Sequence, residues 1–230
     1  MKKLVLFDID GTILNAGRIG RRAIYQALEN VFGADKRSEF RDIRMSGKTD
    51  TQIIHEILED VVDRNALQQL LPRIFDCITD LLAAACEQRE NTQLLVGVQE
   101  LIEIVTAHKD CTLGLLTGNN KQCAMVKLDV FELTHFFQLG AFGDEVYYRN
   151  ELPDIAVQRA FEQTGHLFRN KEIVILGDTP NDVACGRHLG VCAIAVATGR
   201  FSSEELQKSQ PDYLFEDLSD TRSVMNAILT

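Results

Sequence analysis

Four short apolar runs, each followed directly by polar or glycine-containing residues, constrain the fold of this 230-residue sequence more than any other feature. The runs lie at residues 4–7, 112–116, 173–176 and 192–196. Short apolar runs separated by helical patterns are typical of buried parallel strands joined by crossover helices. Ligands of open parallel sheets bind at the carboxyl ends of the strands, so the residues that follow these runs are the first candidates for a functional site. The sequence therefore predicts an α/β fold built on a parallel sheet.

The stretch between residues 15 and 91 shows no convincing strand and instead repeats apolar residues at helical spacing. The helical patterns lie at residues 18–32, 50–63 and 66–86. We therefore predict a helical second domain, residues 15–91, inserted into a core domain formed by residues 1–14 and 92–230. No long Pro-, Gly- or Ser-rich linker is present, which predicts short hinges near residues 15–20 and 91–95.

Composition excludes several classes of function. The net charge of −10 and the pI near 5.0 argue against a nucleic-acid binder, which usually presents a basic surface. No apolar run approaches the roughly 18 residues of a membrane span, and the apolar stretch before Asp8 is too short for a secretion signal. The six cysteines form no C-x-x-C pair or dense framework, which favours reduced thiols. We expect a soluble cytoplasmic protein.

Carboxylates follow two of the predicted strands. Asp8 and Asp10 lie two residues apart, so both side chains are expected on one face, and Gly11 allows the chain to turn away. Asp178 ends the run at 173–176, and Asp182 lies in the expected first turn of a helix, where it is either a metal ligand or a partner of the helix N-terminus. Four carboxylates from neighbouring strand ends form a set of oxygen ligands suited to Mg²⁺.

A third strand end carries a hydroxyl and a glycine, in the segment Thr117-Gly118-Asn119. Such a turn presents backbone N–H groups to an oxyanion or a phosphate group. An ordinary connecting turn has the same composition, so this segment gains meaning only together with the carboxylates.

The combination of these segments resembles the haloacid dehalogenase superfamily. Asp8-Ile9-Asp10-Gly11-Thr12 resembles its motif I, the hydrophobic-Thr117-Gly118-Asn119 segment resembles motif II, and Gly177-Asp178-Thr179-Pro180-Asn181-Asp182 resembles motif IV. The resemblance implies a Rossmann-like core and Mg²⁺-dependent phosphoryl transfer through an aspartyl-phosphate. The helical insertion at residues 15–91 is similar to the helical C1 cap of the phosphoglycolate phosphatase-like branch.

The resemblance also implies roles for individual residues. Asp8 would be the nucleophile and a metal ligand, and Asp10 would be the general acid and base, with its backbone carbonyl on the metal. Asp178 would be a carboxylate ligand of the metal, with Asp182 beside or behind it. The remaining candidates would surround the transferring phosphoryl group: Gly11, Thr12, Thr117, Gly118 and Asn119.

Motif III departs from the family pattern, which usually has a lysine. Arg149 takes that position by spacing and supplies a permanent charge with two parallel donors. The alternative is that Arg149 pairs with surface acids while Lys127 or Lys48 fills the role. Lys48 is also a candidate substrate contact, because residues 45–50 resemble the cap segment that enters the active site. Thr49 or Asp50 as a helix cap is the competing explanation for that segment.

The leading hypothesis is a Mg²⁺-dependent phosphatase that acts on a small organic phosphate monoester similar to phosphoglycolate. The alternatives are phosphoryl transfer of the β-phosphoglucomutase type and a binding or regulatory module without activity. Asp10 argues against a dehalogenase, because that branch lacks the second motif I acid. The segment from residue 18 to residue 48 contains eight basic and four acidic residues. This local positive charge is expected to attract an anionic substrate.

Overall fold

The computed structural model describes residues 1–87 and 92–230, and its core is a six-stranded parallel sheet. The strands, in chain order, are β1 (Lys3–Phe7), β2 (Leu14–Asn15), β3 (Gln93–Leu94), β4 (Cys111–Leu116), β5 (Gly140–Ala141), β6 (Ile173–Gly177), β7 (Cys192–Val196) and β8 (Tyr213–Phe215). Strands β2 and β3 form a separate antiparallel pair. The α/β fold with a parallel sheet is therefore confirmed, and each predicted apolar run is a strand within one residue of the predicted bounds.

The order of the strands creates a crevice at β1. The sheet runs β5-β4-β1-β6-β7-β8, so the chain leaves β1 first towards β4 and later returns to its other side at β6. Phe7 lies opposite both Leu115 and Leu176, which brings the carboxyl ends of β1, β4 and β6 together. A ligand site is expected at this reversal of strand order. Three of the strand ends that carry the candidate residues therefore meet at one edge.

Helices cover both faces of the sheet. They are α1 (Ile19–Phe32), α2 (Asp50–Ile57), α3 (Arg64–Glu87), α4 (Val98–Ala107), α5 (Lys121–Asp129), α6 (Leu152–Thr164), α7 (Pro180–Cys185), α8 (Ser203–Lys208) and α9 (Thr221–Leu229). The side chains of β1 alternate between two cores: Val5 and Phe7 pack in the cluster that includes residues of α4, α5 and α9, whereas Leu4 and Leu6 pack with residues of α6. This alternation follows from the two-residue period of a strand.

The helical insertion, residues 15–91, contributes α1, α2 and α3. Helix α1 packs against α3, and α3 in turn packs against α5 of the core. The helix predicted at 50–63 is shorter than expected, because α2 ends at Ile57. The physical reason is a second helix start: the Asp63 carboxylate accepts from the N–H groups of Asn65 and Ala66 and caps α3, so the chain must leave the first helix earlier.

The start of the insertion is tied to its end by β2 and β3, where Leu14 pairs with Leu94. The predicted domain boundary at residue 91 lies outside the described residues, as does the first residue of the predicted hinge at 91–95, and the division into two domains stays a prediction. All six cysteines fall in the described part of the chain and none is paired there. No described helix combines the length and apolar character required to cross a membrane.

Candidate active site

The carboxyl end of β1 delivers two aspartates into a cavity of about 780 Å³ that core loops and the helical insertion line together. The Asp8 N–H donates to the carbonyl of Leu176 at 2.9 Å, so the pairing with β6 continues through this residue and its side chain is buried. Asp10 lies on the turn at Gly11, where φ is +86°, and 44% of its side chain is exposed. Both carboxylates reach one cavity, as predicted, but in different environments.

A cluster of three buried carboxylates lies at the bottom of the cavity. One oxygen from each of Asp8, Asp178 and Asp182 lies within 4.8 Å of the others, close enough to hold one metal ion. The predicted set of four side chains is wrong in one respect, because the Asp10 carboxylate is not part of this cluster and pairs with a lysine instead. The reason is the turn after β1: the strand ends at Phe7, so the two-residue alternation does not extend to Asp10.

Asp178 is the member of the cluster whose negative charge has the least compensation from the protein. Its side chain is buried, and its Oδ1 has no hydrogen-bond partner among the described residues. Burial, together with the neighbouring charges of Asp182 and Asp8, raises the pKa of Asp178 to about 9. A Cβ atom at Gly11 would lie 2.4 Å from Asp178 Oδ2, so a glycine is required for this close approach. The donor set and the unpartnered oxygen fit a small divalent cation such as Mg²⁺.

Arg149 joins two members of the acidic cluster. Its Nη2 lies 2.9 Å from Asp8 Oδ1, donates to Asp182 Oδ1, and donates to the Leu116 carbonyl at 3.3 Å. The side chain is 7% exposed, so the alternative in which it pairs with surface acids is wrong. Burial opposes the charge of the guanidinium, but Asp182 and Asp8 outweigh it and raise its pKa. Arg149 therefore supplies one permanent positive charge to the cluster.

The nucleophile candidate Asp8 has a perturbed pKa. Burial raises the pKa of Asp8 to about 6; Arg149 opposes this shift, and Asp182 and Asp10 add to it. Further positive charge near Asp8 would lower this pKa and favour the ionised carboxylate.

Asp182 is oriented by the start of α7. Its Oδ2 accepts from the Thr179 N–H at 2.9 Å and from Thr179 Oγ1 at 2.7 Å, and Thr179 in turn caps the helix. Its other oxygen accepts from Arg149. The interpretation as a partner of the helix N-terminus therefore holds, because Asp182 closes a capping box, and its carboxylate also belongs to the cluster of three. With both oxygens already accepting protein hydrogen bonds, Asp182 is placed to orient its neighbours.

The loop after β4 lines the side of the cavity. Thr117 is buried, and its Oγ1 accepts from both the backbone N–H (3.3 Å) and the side-chain amide (2.8 Å) of Asn119. The Gly118 carbonyl accepts from the Asp50 N–H at 2.7 Å, and a Cβ at Gly118 would lie 2.0 Å from the Lys48 carbonyl oxygen. The glycine thus allows the insertion to lie directly against this loop.

Gly11 and Thr12, two of the predicted phosphate-binding residues, differ in whether they line the cavity. Gly11 lines the cavity. Thr12 does not: it is fully buried beneath the turn, and its Oγ1 has no hydrogen-bond partner among the described residues. The prediction for Thr12 is therefore wrong for the side chain, because the turn that exposes Gly11 folds the next residue inwards.

Lys48 lines the cavity but is not free. Its ammonium forms an ion pair with Glu56 of α2, and 24% of its side chain is exposed. Thr49 accepts from the Gln52 N–H at 3.1 Å and caps α2, so the competing explanation for this segment also holds. Two core loops contact the same segment: Asn181 donates to the Gly47 carbonyl at 2.8 Å, and Arg200 donates to Ser46 at 3.1 Å.

Lys127 and Asp50 have larger roles at this site than their sequence positions indicated. Lys127 is 4% exposed and lies within 2.7 Å of both Asp10 oxygens; burial disfavours its charge, but Asp10 outweighs this effect and raises its pKa. Asp50 accepts from the N–H and side-chain amide of Asn120, and burial raises the pKa of Asp50 to about 6. On α5, Lys127 lies on the same buried face as Cys123 and Ala124. A lysine at such a spacing from apolar residues is the sequence signal that could have identified it as a buried cation.

The basic segment of the insertion is only partly available to a ligand. Arg21 pairs with Asp42, and Arg41 pairs with Glu59 and Asp60. Its members that line the cavity are Arg18, Arg21 and Lys48, and Arg200 of the core lines the same cavity. The cavity therefore has a basic wall, and attraction of an anionic substrate by this segment stays a prediction.

Comparison with known proteins places these features in one family. The family model described as haloacid dehalogenase-like hydrolase matches residues 5–196. The sequence is 22% identical over 225 residues to the pyrophosphatase PpaX of Bacillus pumilus, covering 97% of this chain and 96% of that protein. It is 22% identical over 233 residues to the phosphoglycolate phosphatase of Vibrio parahaemolyticus, with coverage of 97% and 96%.

A solved structure confirms the likeness of the fold. CbbY from Rhodobacter sphaeroides, crystallised in complex with phosphate, superposes with a TM-score of 0.70 at 16% identity and covers 96% of each chain. The likeness extends over the core and the helical insertion alike.

Proposed function

The chain belongs to the haloacid dehalogenase-like hydrolase family, and we propose that it is a Mg²⁺-dependent phosphatase of small organic phosphate monoesters. The observation that carries the proposal is the buried group of Asp8, Asp178 and Asp182 beside Arg149. Buried carboxylates are costly unless they hold a cation or perform chemistry. Here they lie at the reversal of strand order, where ligands of such sheets bind.

Asp8 and Asp178 would hold the metal with carboxylate oxygens, with the backbone carbonyl of Asp10 as a further ligand. When bound, Mg²⁺ supplies positive charge to the phosphoryl oxygens and to the carboxylates around it. The unpartnered Oδ1 of Asp178 and the glycine that makes room for this carboxylate support that assignment. Asp182 would act behind them by fixing Arg149.

The reaction proceeds in two steps on this chain's own residues. Asp8 attacks phosphorus while Asp10 donates a proton to the leaving oxygen, which gives an alcohol and an aspartyl-phosphate on Asp8. Asp10, now a carboxylate, accepts a proton from water as that water attacks the phosphoryl group, which releases inorganic phosphate and restores Asp8. Arg149, Thr117 and the backbone N–H groups of the loop after β4 stabilise the charge on the phosphoryl oxygens.

The helical insertion at residues 15–91 would act as a cap that selects the leaving group and excludes bulk water. Its segment 46–50 contacts the core at several places, among them Gly118, Asn181 and Arg200. Basic side chains at the mouth, Arg18 and Arg200, favour a leaving group with its own negative charge. This favours a substrate similar to phosphoglycolate. Six unpaired cysteines suit a reducing compartment, and we place the reaction in the cytoplasm.

Phosphate release from a panel of monoesters tests the proposal, with phosphoglycolate and sugar phosphates as esters and pyrophosphate as an anhydride for comparison, each assayed with Mg²⁺ and with EDTA. We expect Mg²⁺-dependent turnover of small anionic monoesters, and its loss in Asp8→Asn. The control is Asp76→Asn, which changes an exposed carboxylate on α3 outside the cavity. Turnover that survives in Asp8→Asn, or silence across the panel, contradicts the proposal. Transfer of the phosphoryl group to a sugar phosphate instead of water identifies the mutase-type reaction.

A further inference from the structure

Lys127 is a buried lysine whose ammonium is fully used within the active site. It lies in the last turn of α5 and its side chain is 4% exposed. It donates to Asp10 Oδ1 at 2.7 Å, to Asp10 Oδ2 at 2.6 Å and to Asn119 Oδ1 at 2.7 Å. An ammonium group has three N–H donors, and these three contacts account for all of them.

The same contacts hold Asp10 from behind. Asp10 Oδ2 accepts a further hydrogen bond from Asn119 Nδ2 at 2.8 Å, so both carboxylate oxygens have fixed donors. Asp10 nevertheless lines the cavity, and 44% of its side chain is exposed. It stands next to Gly11, on the turn after β1, where its backbone forms an isolated bridge with Leu14. Without the lysine, this side chain would keep one donor among the described residues, the Asn119 amide on Oδ2, and Oδ1 would lose its partner.

Each of the two buried cations of the site contacts a different one of the two motif I aspartates. Arg149 contacts Asp8 and Asp182, and Lys127 contacts Asp10. The two basic groups come from different elements: Arg149 precedes α6, whereas Lys127 is on α5. Each motif I aspartate thus has its own buried cation.

We propose that Lys127 is a positioning residue of the reaction: it holds the Asp10 carboxylate towards the leaving oxygen and, in the second step, towards the attacking water. This inference rests on the proposed phosphatase function and adds a residue to it. A positioned general acid accelerates a reaction by about 10² to 10⁴, and the benefit is greatest when the leaving group is a poor one. Loss of Lys127 should therefore slow alkyl esters more than aryl esters.

The experiment compares Lys127→Met with the natural protein on two substrates with Mg²⁺: the best alkyl phosphate of the panel and p-nitrophenyl phosphate, whose leaving group needs little protonation. We expect kcat/KM to fall about 100-fold on the alkyl ester and less than about tenfold on the aryl ester. The comparison uses kcat/KM because it reports the first step alone, whereas the attack of water in the second step is common to both esters. Lys127→Arg, which keeps the charge, should recover part of the loss on the alkyl ester.

A matched control is Lys3→Met, because Lys3 is also buried and donates to the Lys171 carbonyl at 3.0 Å, away from the cavity. This variant reports the cost of removing a buried lysine and should leave the alkyl-to-aryl ratio unchanged. In an Asp10→Asn background, Lys127→Met should add no further loss, because it acts through Asp10.

Several results overturn the inference: equal losses of kcat/KM on both substrates, an unchanged kcat/KM on the alkyl ester, or an added loss in the Asp10→Asn background. If Lys127→Met does not fold, the same ratio measured on Lys127→Gln decides the question. If the natural protein releases no phosphate from any ester, the proposed function itself fails. Activity of the natural protein with an unchanged ratio refutes only the role of Lys127.

Discussion

Replacing Asp50 with asparagine should flatten the dependence of folding stability on pH. Asp50 belongs to the helical insertion, yet its carboxylate is buried against the core and accepts from Asn120 at 2.7 Å and 3.1 Å. Burial raises its pKa from 3.8 to about 6, so the ionised form costs the folded state about 3 kcal/mol at neutral pH. The pKa of Asp50 is higher in the folded state than in the unfolded state. The protein is therefore more stable by this amount below pH 3.8, and it loses that stability as the pH rises through 6.

The magnitude between two convenient pH values follows from the same pair of pKa values. Between pH 5 and pH 7 the natural protein should lose about 1.3 kcal/mol of unfolding free energy from this carboxyl group, and Asp50→Asn should not. Urea unfolding at both pH values, in EDTA, measures the difference. The other titrating groups are common to both proteins, so their contributions cancel.

Asp76→Asn is again the control, because this carboxylate is exposed to water and its replacement should leave the curve parallel to that of the natural protein. If the curve of Asp50→Asn is also parallel, then Asp50 is not buried against Asn120 in solution and the described docking of α2 on the core is wrong. A steeper curve for the variant would reverse the sign of the argument and refute it equally.

Substitutions at three further positions test the acidic cluster. Gly11→Ala should destabilise the fold by about 1–3 kcal/mol in thermal unfolding, because its Cβ would lie 2.4 Å from Asp178 Oδ2 and its φ is +86°. Asp178→Asn should remove the stabilisation by Mg²⁺, which for the natural protein is about 2.7 kcal/mol at a hundredfold excess over Kd; a thermal shift that persists in the variant places the metal elsewhere. Arg149→Met should cost about 3–5 kcal/mol in urea unfolding, since Asp8 and Asp182 lose their buried partner, and Arg149→Lys should cost less.

The sheet was largely predictable because its central strands are buried on both faces. Such strands need continuous apolar residues, and residues 4–7 and 173–176 show this pattern without ambiguity. The two edge strands were not predicted. β5 has two residues, Gly140 and Ala141, and β8 has three that are only partly buried, so neither leaves a distinct apolar run.

The location of the site was predictable from the same pattern, whereas the pairing of its charges was not. Parallel strands bring their carboxyl ends together, so Asp8, Thr117 and Asp178 had to approach one another. Which cation meets which acid depends on the packing of α5 and α6 on the sheet. The sequence could not show that Arg149 would reach Asp8 while Lys127 would reach Asp10.

Local charge explains how an acidic protein can bind an anion. Four carboxylates of the site, those of Asp8, Asp10, Asp178 and Asp182, face two buried cations, Arg149 and Lys127. When all four are ionised, the site is short of two positive charges, the number that one divalent cation supplies. Without that cation, the raised pKa of Asp178 keeps this carboxyl group protonated at neutral pH, which leaves three carboxylates beside two cations. A phosphate dianion approaching without that cation would meet a net negative surface at short range, where screening by salt is weak. The net charge of −10 sets solubility, but the affinity for a phosphate ester depends on this local balance.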